Sequence, residues 1–131
     1  MRFITLLAAA ALTGCVAEPP PGPSPAALSR LNAELAGRVA GAPVDCIPRH
    51  SSGDMEVIDE RTILYRSGNT VYRNDIRGSC GGLGQPGYAL VTQSFGGGQL
   101  CRGDIAQVRD LSSNSIRGSC SLGSFTPYVR R

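Results

Sequence analysis

The chain has 131 residues, 41% hydrophobic and 18% charged, with a formal net charge of +3, which is the length and balance of one globular domain. All thirteen basic residues are Arg and none is Lys. A Walker-type phosphate loop and Schiff-base catalysis are therefore excluded, because both need an ammonium or amine.

Met1 and Arg2 form a positive end, residues 3–12 are an apolar run, and Leu12-Thr13-Gly14-Cys15 follows at once. The run is about half the ~20 residues that a bilayer span requires, so it reads as the core of a secretory signal. The four residues ending at Cys15 resemble the lipobox of bacterial lipoproteins. In that family the cysteine thiol carries a diacylglyceryl group, and the amine freed by cleavage is acylated as well. The resemblance implies a signal peptide over 1–14, lipidation (palmitate among the acyl chains) at Cys15, and a membrane partner engaged through the lipid anchor. One acyl chain holds only marginally, whereas two or three make release negligible. Val16, rather than Asp, follows the cysteine. That resembles the pattern sent to the outer membrane, facing the periplasm. The rival is an ordinary secretory signal cut near Ala17, with Cys15 left free.

Residues 15–25 form the lipidated Cys and a Pro-rich tether, with five prolines between positions 18 and 25. Such a stretch prefers extended polyproline II at ~3.1 Å per residue, so residues 16–25 reach up to ~30 Å. Ser24 then caps a helix with Pro25 at its first position, and Leu28, Leu31, Leu35 and Val39 recur at helical spacing. A short amphipathic helix over 26–41 is expected, ended by Gly41 and Pro43. Its polar face has Arg30, Arg38 and Glu34 rather than a basic stripe, which disfavours a membrane-surface role.

From 44 to 131 the pattern changes to strands and turns, a small all-β domain. Residues 62–66 and 70–74 flank Ser67-Gly68-Asn69, and a two-residue turn at Gly68-Asn69 sets Tyr65 opposite Tyr72. Further strands are expected within 55–59, 88–95, 105–109 and 124–129. The predicted fold is mainly β: a small disulfide-stapled antiparallel barrel or sandwich preceded by one short amphipathic helix. The pentapeptide Ile-Arg-Gly-Ser-Cys occurs at 76–80 and again at 116–120. Two similar strand-end turns explain it better than a duplicated half-domain.

Beyond Cys15 stand Cys46, Cys80, Cys101 and Cys120, an even number in a chain directed to an oxidising compartment, so two disulfides are expected. Six aromatics after the signal make a thin core, and each bridge typically adds ~2–4 kcal/mol. Three connectivities are open; closure of a barrel favours Cys80 with Cys101 and Cys46 with Cys120. A zinc site on Cys46 and His50 lacks any CxxC pair, so no metal and no cofactor is expected. From about 46 to 128 the chain also resembles a family of small proteobacterial secreted proteins. The resemblance rests on Cys46-Ile47, Val57-Ile58-Asp59, Arg61-Thr62-Ile63 and Val71-Tyr72-Arg73-Asn74. It continues through Cys80 with Gly82-Leu83, Leu100-Cys101 with Asp104, and Cys120-x-Leu122-Gly123-x-Phe125-x-Pro127. It implies an envelope domain and no activity, and carries over no site residue.

Candidate chemistry is sparse. His50, the single histidine, lies beside Ser51 and Ser52 with Asp45 and Asp54 nearby. Residues so close on one loop rarely reach triad geometry, so no catalytic residue is assigned. Arg102-Gly103-Asp104 spells an adhesion tripeptide but reads as a strand-entry turn, and glycine-rich 78–87 opens no helix. Charge divides unevenly: 15–60 hold three Arg and seven acids, 61–131 nine Arg and three acids. Either the halves fold together and cancel, or the second presents a guanidinium face to an anionic envelope component. Arg66, Arg73 and Arg77, around the hairpin, are the anion-binding candidates. No nucleic-acid partner is expected outside the cytoplasm, and the oligomeric state is open. The function these features favour is a membrane-anchored, non-enzymatic binding or structural module of the envelope. The alternative is a secreted enzyme inhibitor or small hydrolase.

Overall fold

A computed structural model describes residues 14–15, 22–49, 54–95 and 97–131. Residues 1–13 of the signal expected over 1–14, most of the expected tether and the His50-Ser51-Ser52 cluster lie outside the described residues.

The one helix among the described residues, α1 (Pro25–Leu35), begins as its sequence requires: the Ser24 hydroxyl accepts from the Ala27 N–H at 3.1 Å and proline occupies the first turn. It ends earlier than expected. Gly37 adopts φ +70° just after the Ala36 cap, a left-handed stop that leaves Val39 outside the helix. Val39 instead lies in β1 (Arg38–Ala40), paired with Val129.

Among the described residues nine further strands follow: β2 (Cys46–Pro48), β3 (Met55–Val57), β4 (Thr62–Ser67), β5 (Thr70–Asp75), β6 (Tyr88–Gln93), β7 (Gln99–Cys101), β8 (Ile105–Asp110), β9 (Ile116–Ser121) and β10 (Phe125–Arg130). They form three antiparallel sheets, ordered β1-β10-β5-β4-β3, β2-β7 and β6-β8-β9. The arrangement is sandwich-like and no closed barrel forms. The β4–β5 hairpin has the register its turn dictates, with Tyr65 opposite Tyr72 and Arg66 opposite Val71. Among the described residues no helix is long and apolar enough to cross a membrane.

Side-chain alternation divides the core in two. Ile63, Tyr65 and Phe125 face Ile47, Leu83, Leu100, Ala106, Val108 and Leu122 in the main cluster between the sheets. Tyr65 and Phe125 meet edge to face, 5.8 Å between centroids, a favoured aromatic geometry. On the opposite face of the same sheet, Leu64 and Val71 pack with Ile58 against Ala27 and Leu31 of α1. Residues 62–65 of β4 are consequently buried on both sides.

Two disulfides staple this core, but not in the expected pairing. Cys46 bonds to Cys101 and Cys80 to Cys120. The physical reason is sheet register: Cys46 and Cys101 are directly opposed on β2 and β7, with Cα atoms 4.1 Å apart. Without a closed barrel, nothing brings Cys46 to Cys120. The bridge from Cys80 to Cys120 joins the two copies of the repeated pentapeptide, which fold differently. The first is irregular, with Gly78 at φ +84°, whereas the second enters β9. The identical sequences are therefore neither two matching turns nor two equivalent strands.

One side-chain clamp closes the sandwich. Buried Asn74 donates to the Gly123 carbonyl at 2.8 Å and accepts from the Gly123 N–H at 3.0 Å. A Cβ at Gly123 would stand 2.1 Å from the Asp75 carbonyl oxygen, so this close approach requires glycine.

Candidate functional site

The most developed concavity is a groove of about 880 Å³ where α1 crosses the five-stranded sheet. Leu28, Leu31 and Leu35 form its helical wall, and Ile58 and Ile76 add apolar surface below. Leu28 remains 46% exposed because it faces the groove side of the helix rather than the packed side. Arg61, Arg73 and Tyr128 supply the polar lining, and Gly22, Pro23 and Ser24 form the rim where the spacer enters the domain.

The acids in the groove are already engaged. Asp59 Oδ1 accepts from the backbone N–H groups of Arg61 and Thr62, both at 2.8 Å, which shapes the turn before β4. Glu60 accepts from the Gly82 N–H at 3.1 Å. Asp75 accepts from Arg73 Nε at 3.0 Å. Burial by itself would lower the Arg73 pKa; the neighbouring Asp75 and the Tyr128 oxygen outweigh it and leave it raised. Arg73 thus stays cationic, held between Asp75 and Tyr128 at the groove. Arg61 makes no ion pair among the described residues.

The three anion-binding candidates have separate fates. Arg66 and Arg73 do lie on one face of the hairpin, as the register requires, but α1 covers that face. Arg66 reaches Glu34 on the helix and Glu56 on β3, the latter at 3.1 Å. Its pKa is raised, first by the hydrogen bond to Glu34. These two carboxylates take up the charge that an external anion would need, which withdraws Arg66 from the set. Arg77 is exposed on the irregular segment beyond β5, where its backbone bridges to Ser121. Only Arg73 of the three lines the groove.

Arg66 with Glu34 and Glu56, and Arg102 with Asp45 at 3.2 Å, join the basic second half to the acidic first. These contacts set two of the nine second-half arginines against three of the seven first-half acids. The same contacts answer for the adhesion-like tripeptide. Asp104 is buried and its Oδ2 accepts from the Cys101 N–H at 2.8 Å, while Gly103 turns at φ +90°. It is a turn element and offers no carboxylate outward.

Cys15 is exposed and unpaired. Cys46, Cys80, Cys101 and Cys120 are consumed by disulfides, and no cluster of three or more His, Cys, Asp or Glu residues suited to a metal occurs among the described residues. The residues that carried the secreted-family resemblance serve the scaffold: Ile47, Ile63, Leu100, Leu122 and Phe125 are core, and Asp59, Asn74, Asp104 and Gly123 hold turns. Arg61 and Tyr128 were not identified from sequence. No spacing signals them, because the groove joins the helix, the turn before β4 and two strands that are distant in the chain. Compared with protein families, curated proteins and solved structures, the chain matches none of them.

Proposed function

We propose that this chain is an outer-membrane lipoprotein, acylated at Cys15, whose domain is a non-enzymatic binding module for an anionic amphiphile of the envelope. The observation that carries the reading is the groove beside α1, where an apolar wall meets the guanidiniums of Arg61 and Arg73. An apolar cleft with a few convergent polar groups is the usual form of a small-ligand site. The wall suits an acyl chain, and each guanidinium suits a phosphate or carboxylate, which it engages bidentately. The rim at Gly22, Pro23 and Ser24 opens the groove where the tether arrives, so a ligand leaving the membrane surface meets it first.

Titration of a soluble form beginning at Val16 with lipid A, at low and high salt, tests the groove. Arg61→Gln with Arg73→Gln is expected to weaken binding at least about tenfold, a change of ~1.4 kcal/mol, and high salt to weaken the parent protein as well. Equal affinity for parent and double variant rejects the site. The anchor is tested separately: Cys15→Ser in the full chain abolishes labelling by a clickable fatty acid, and undiminished labelling rejects lipidation at that residue.

A further inference from the structure

Strand β6 is an outer edge of the three-stranded sheet, and among the described residues no strand pairs with its free side. The Leu111 N–H donates to the Gly87 carbonyl at 2.9 Å, which sets the phase of the ladder. Residues 89, 91 and 93 therefore bond to β8, opposite Arg109, Gln107 and Ile105, and Leu90 and Thr92 turn their N–H and C=O groups toward the open edge. Edge strands are ordinarily guarded by charge, proline or a bulge. The edge strands β1, β3 and β9 contain Arg38, Glu56 and Arg117 respectively. Residues 88–95 contain neither a charge nor a proline.

We propose that β6 pairs antiparallel with β6 of a second copy of this chain, about a two-fold axis at Val91. Two-fold pairing sets a strand against its own reverse, so any charge near the axis meets its like; β6, unlike the edges β1, β3 and β9, avoids this, and it is twice the length of β7, whose three residues are also uncharged. The ladder phase allows Leu90 to exchange hydrogen bonds with Thr92 of the other copy, which centres the pair on Val91. The same register brings Phe95, two residues past the end of β6 in one copy, near Gly87, the turn residue just before β6 in the other. Phe95 and Leu111 are the most exposed large hydrophobics among the described residues, at 79% and 69%. Leu111 is the β8-side neighbour of Gly87, and a Cβ at Gly87 would meet nothing within 4 Å. An aromatic ring laid over that glycine reaches Leu111. Hydrogen-bond phase and apolar complementarity therefore select one register, and the product is a continuous six-stranded sheet.

Cross-linking of the full chain in its own envelope tests this. Val91→Cys is expected to give a disulfide-linked pair of two copies on non-reducing electrophoresis, because the axis opposes each residue 91 to its mate. Ser119→Cys, on the same exposed face two strands away, is expected to remain single. The proposal is overturned if Val91→Cys stays single while Cys46–Cys101 and Cys80–Cys120 remain intact, if Ser119→Cys links equally, or if the adduct has the mass of a different protein. Sedimentation of the detergent-solubilised chain supplies a readout that needs no cysteine. The parent protein is expected at twice its monomer mass and Val91→Glu at the monomer mass; a monomeric parent, or a dimeric Val91→Glu, also overturns it.

Discussion

The five-stranded and three-stranded sheets share one core but differ on their outer faces. The first is covered on both sides, by the interior cluster and by α1, so β4 runs Thr62, Ile63, Leu64, Tyr65 without an exposed position. The second has a bare outer face, and β8 alternates instead: Ala106, Val108 and Asp110 are buried while the residues between them are partly or fully open. The contrast teaches where an apolar residue stabilises this fold. Leu64 beneath the helix and Ile116 on the bare face are both aliphatic, yet one is 0% and the other 53% exposed.

The sharpest test of that contrast is a pair of truncations. Leu64→Ala is expected to cost ~2–5 kcal/mol, because it removes buried methyls and leaves a cavity under α1. Ile116→Ala is expected within about 0.5 kcal/mol of the parent protein, as for other surface changes. Urea unfolding of both compares them directly, and equal costs would mean that the helix does not shield the sheet.

Next in size is the covalent tie between the two regions. Replacing Cys80 and Cys120 together by Ala removes the link from the end of β5 to β9 and is expected to cost ~2–4 kcal/mol. Thermal unfolding reads the loss. If the two sheets are held mainly by the shared core, the midpoint shifts by little.

Ion pairs in the two regions differ more finely. Arg66→Gln takes away the bonds from β4 to Glu34 on α1 and to Glu56 on β3, while Arg30 of α1 keeps its own bonds to Glu56 and the Val57 carbonyl. A loss of about 1 kcal/mol is expected, shrinking as salt rises, because these groups are only part-buried. In the three-stranded sheet the counterpart is Asp110, whose carboxylate accepts from the Ser112 hydroxyl and N–H and from Arg117 at 2.9 Å. The Ser112 hydroxyl, then Arg117, hold its pKa far below the ordinary value near 3.8. Its folded pKa is depressed, so the stability it contributes is complete above the ordinary carboxylate pKa and is lost as pH falls below it. Asp110→Asn is therefore expected to lower stability at neutral pH and to flatten the acid limb below about pH 4. Denaturation midpoints measured from pH 2 to 7 check the sign, and an unchanged acid limb would assign it to other carboxylates.

Local chemistry by itself determined the helix start at Ser24-Pro25, the hairpin at Gly68-Asn69 with its register, and the mainly β character. Each depends on residues within a few positions of one another: a hydroxyl cap, a turn permissive of φ > 0, an alternating run. The oxidation of Cys46, Cys80, Cys101 and Cys120 was legible from their number, but their pairing was not, because all three connectivities have the same local sequence and only the β2–β7 register opposes Cys46 to Cys101. Tertiary structure also decided where α1 stops. Val39 fits a helical stripe as well as a strand, and β10 supplies the partner that makes it a strand. The three-residue strands β1, β2 and β7 are too short to show a period and exist through their partners. The roles of the arginines were decided last and over the longest range. Alternation set Arg66 and Arg73 on one face, but only packing of α1 across that face gave Arg66 to Glu34 and Glu56 and brought Arg73 to a groove with Arg61 and Tyr128.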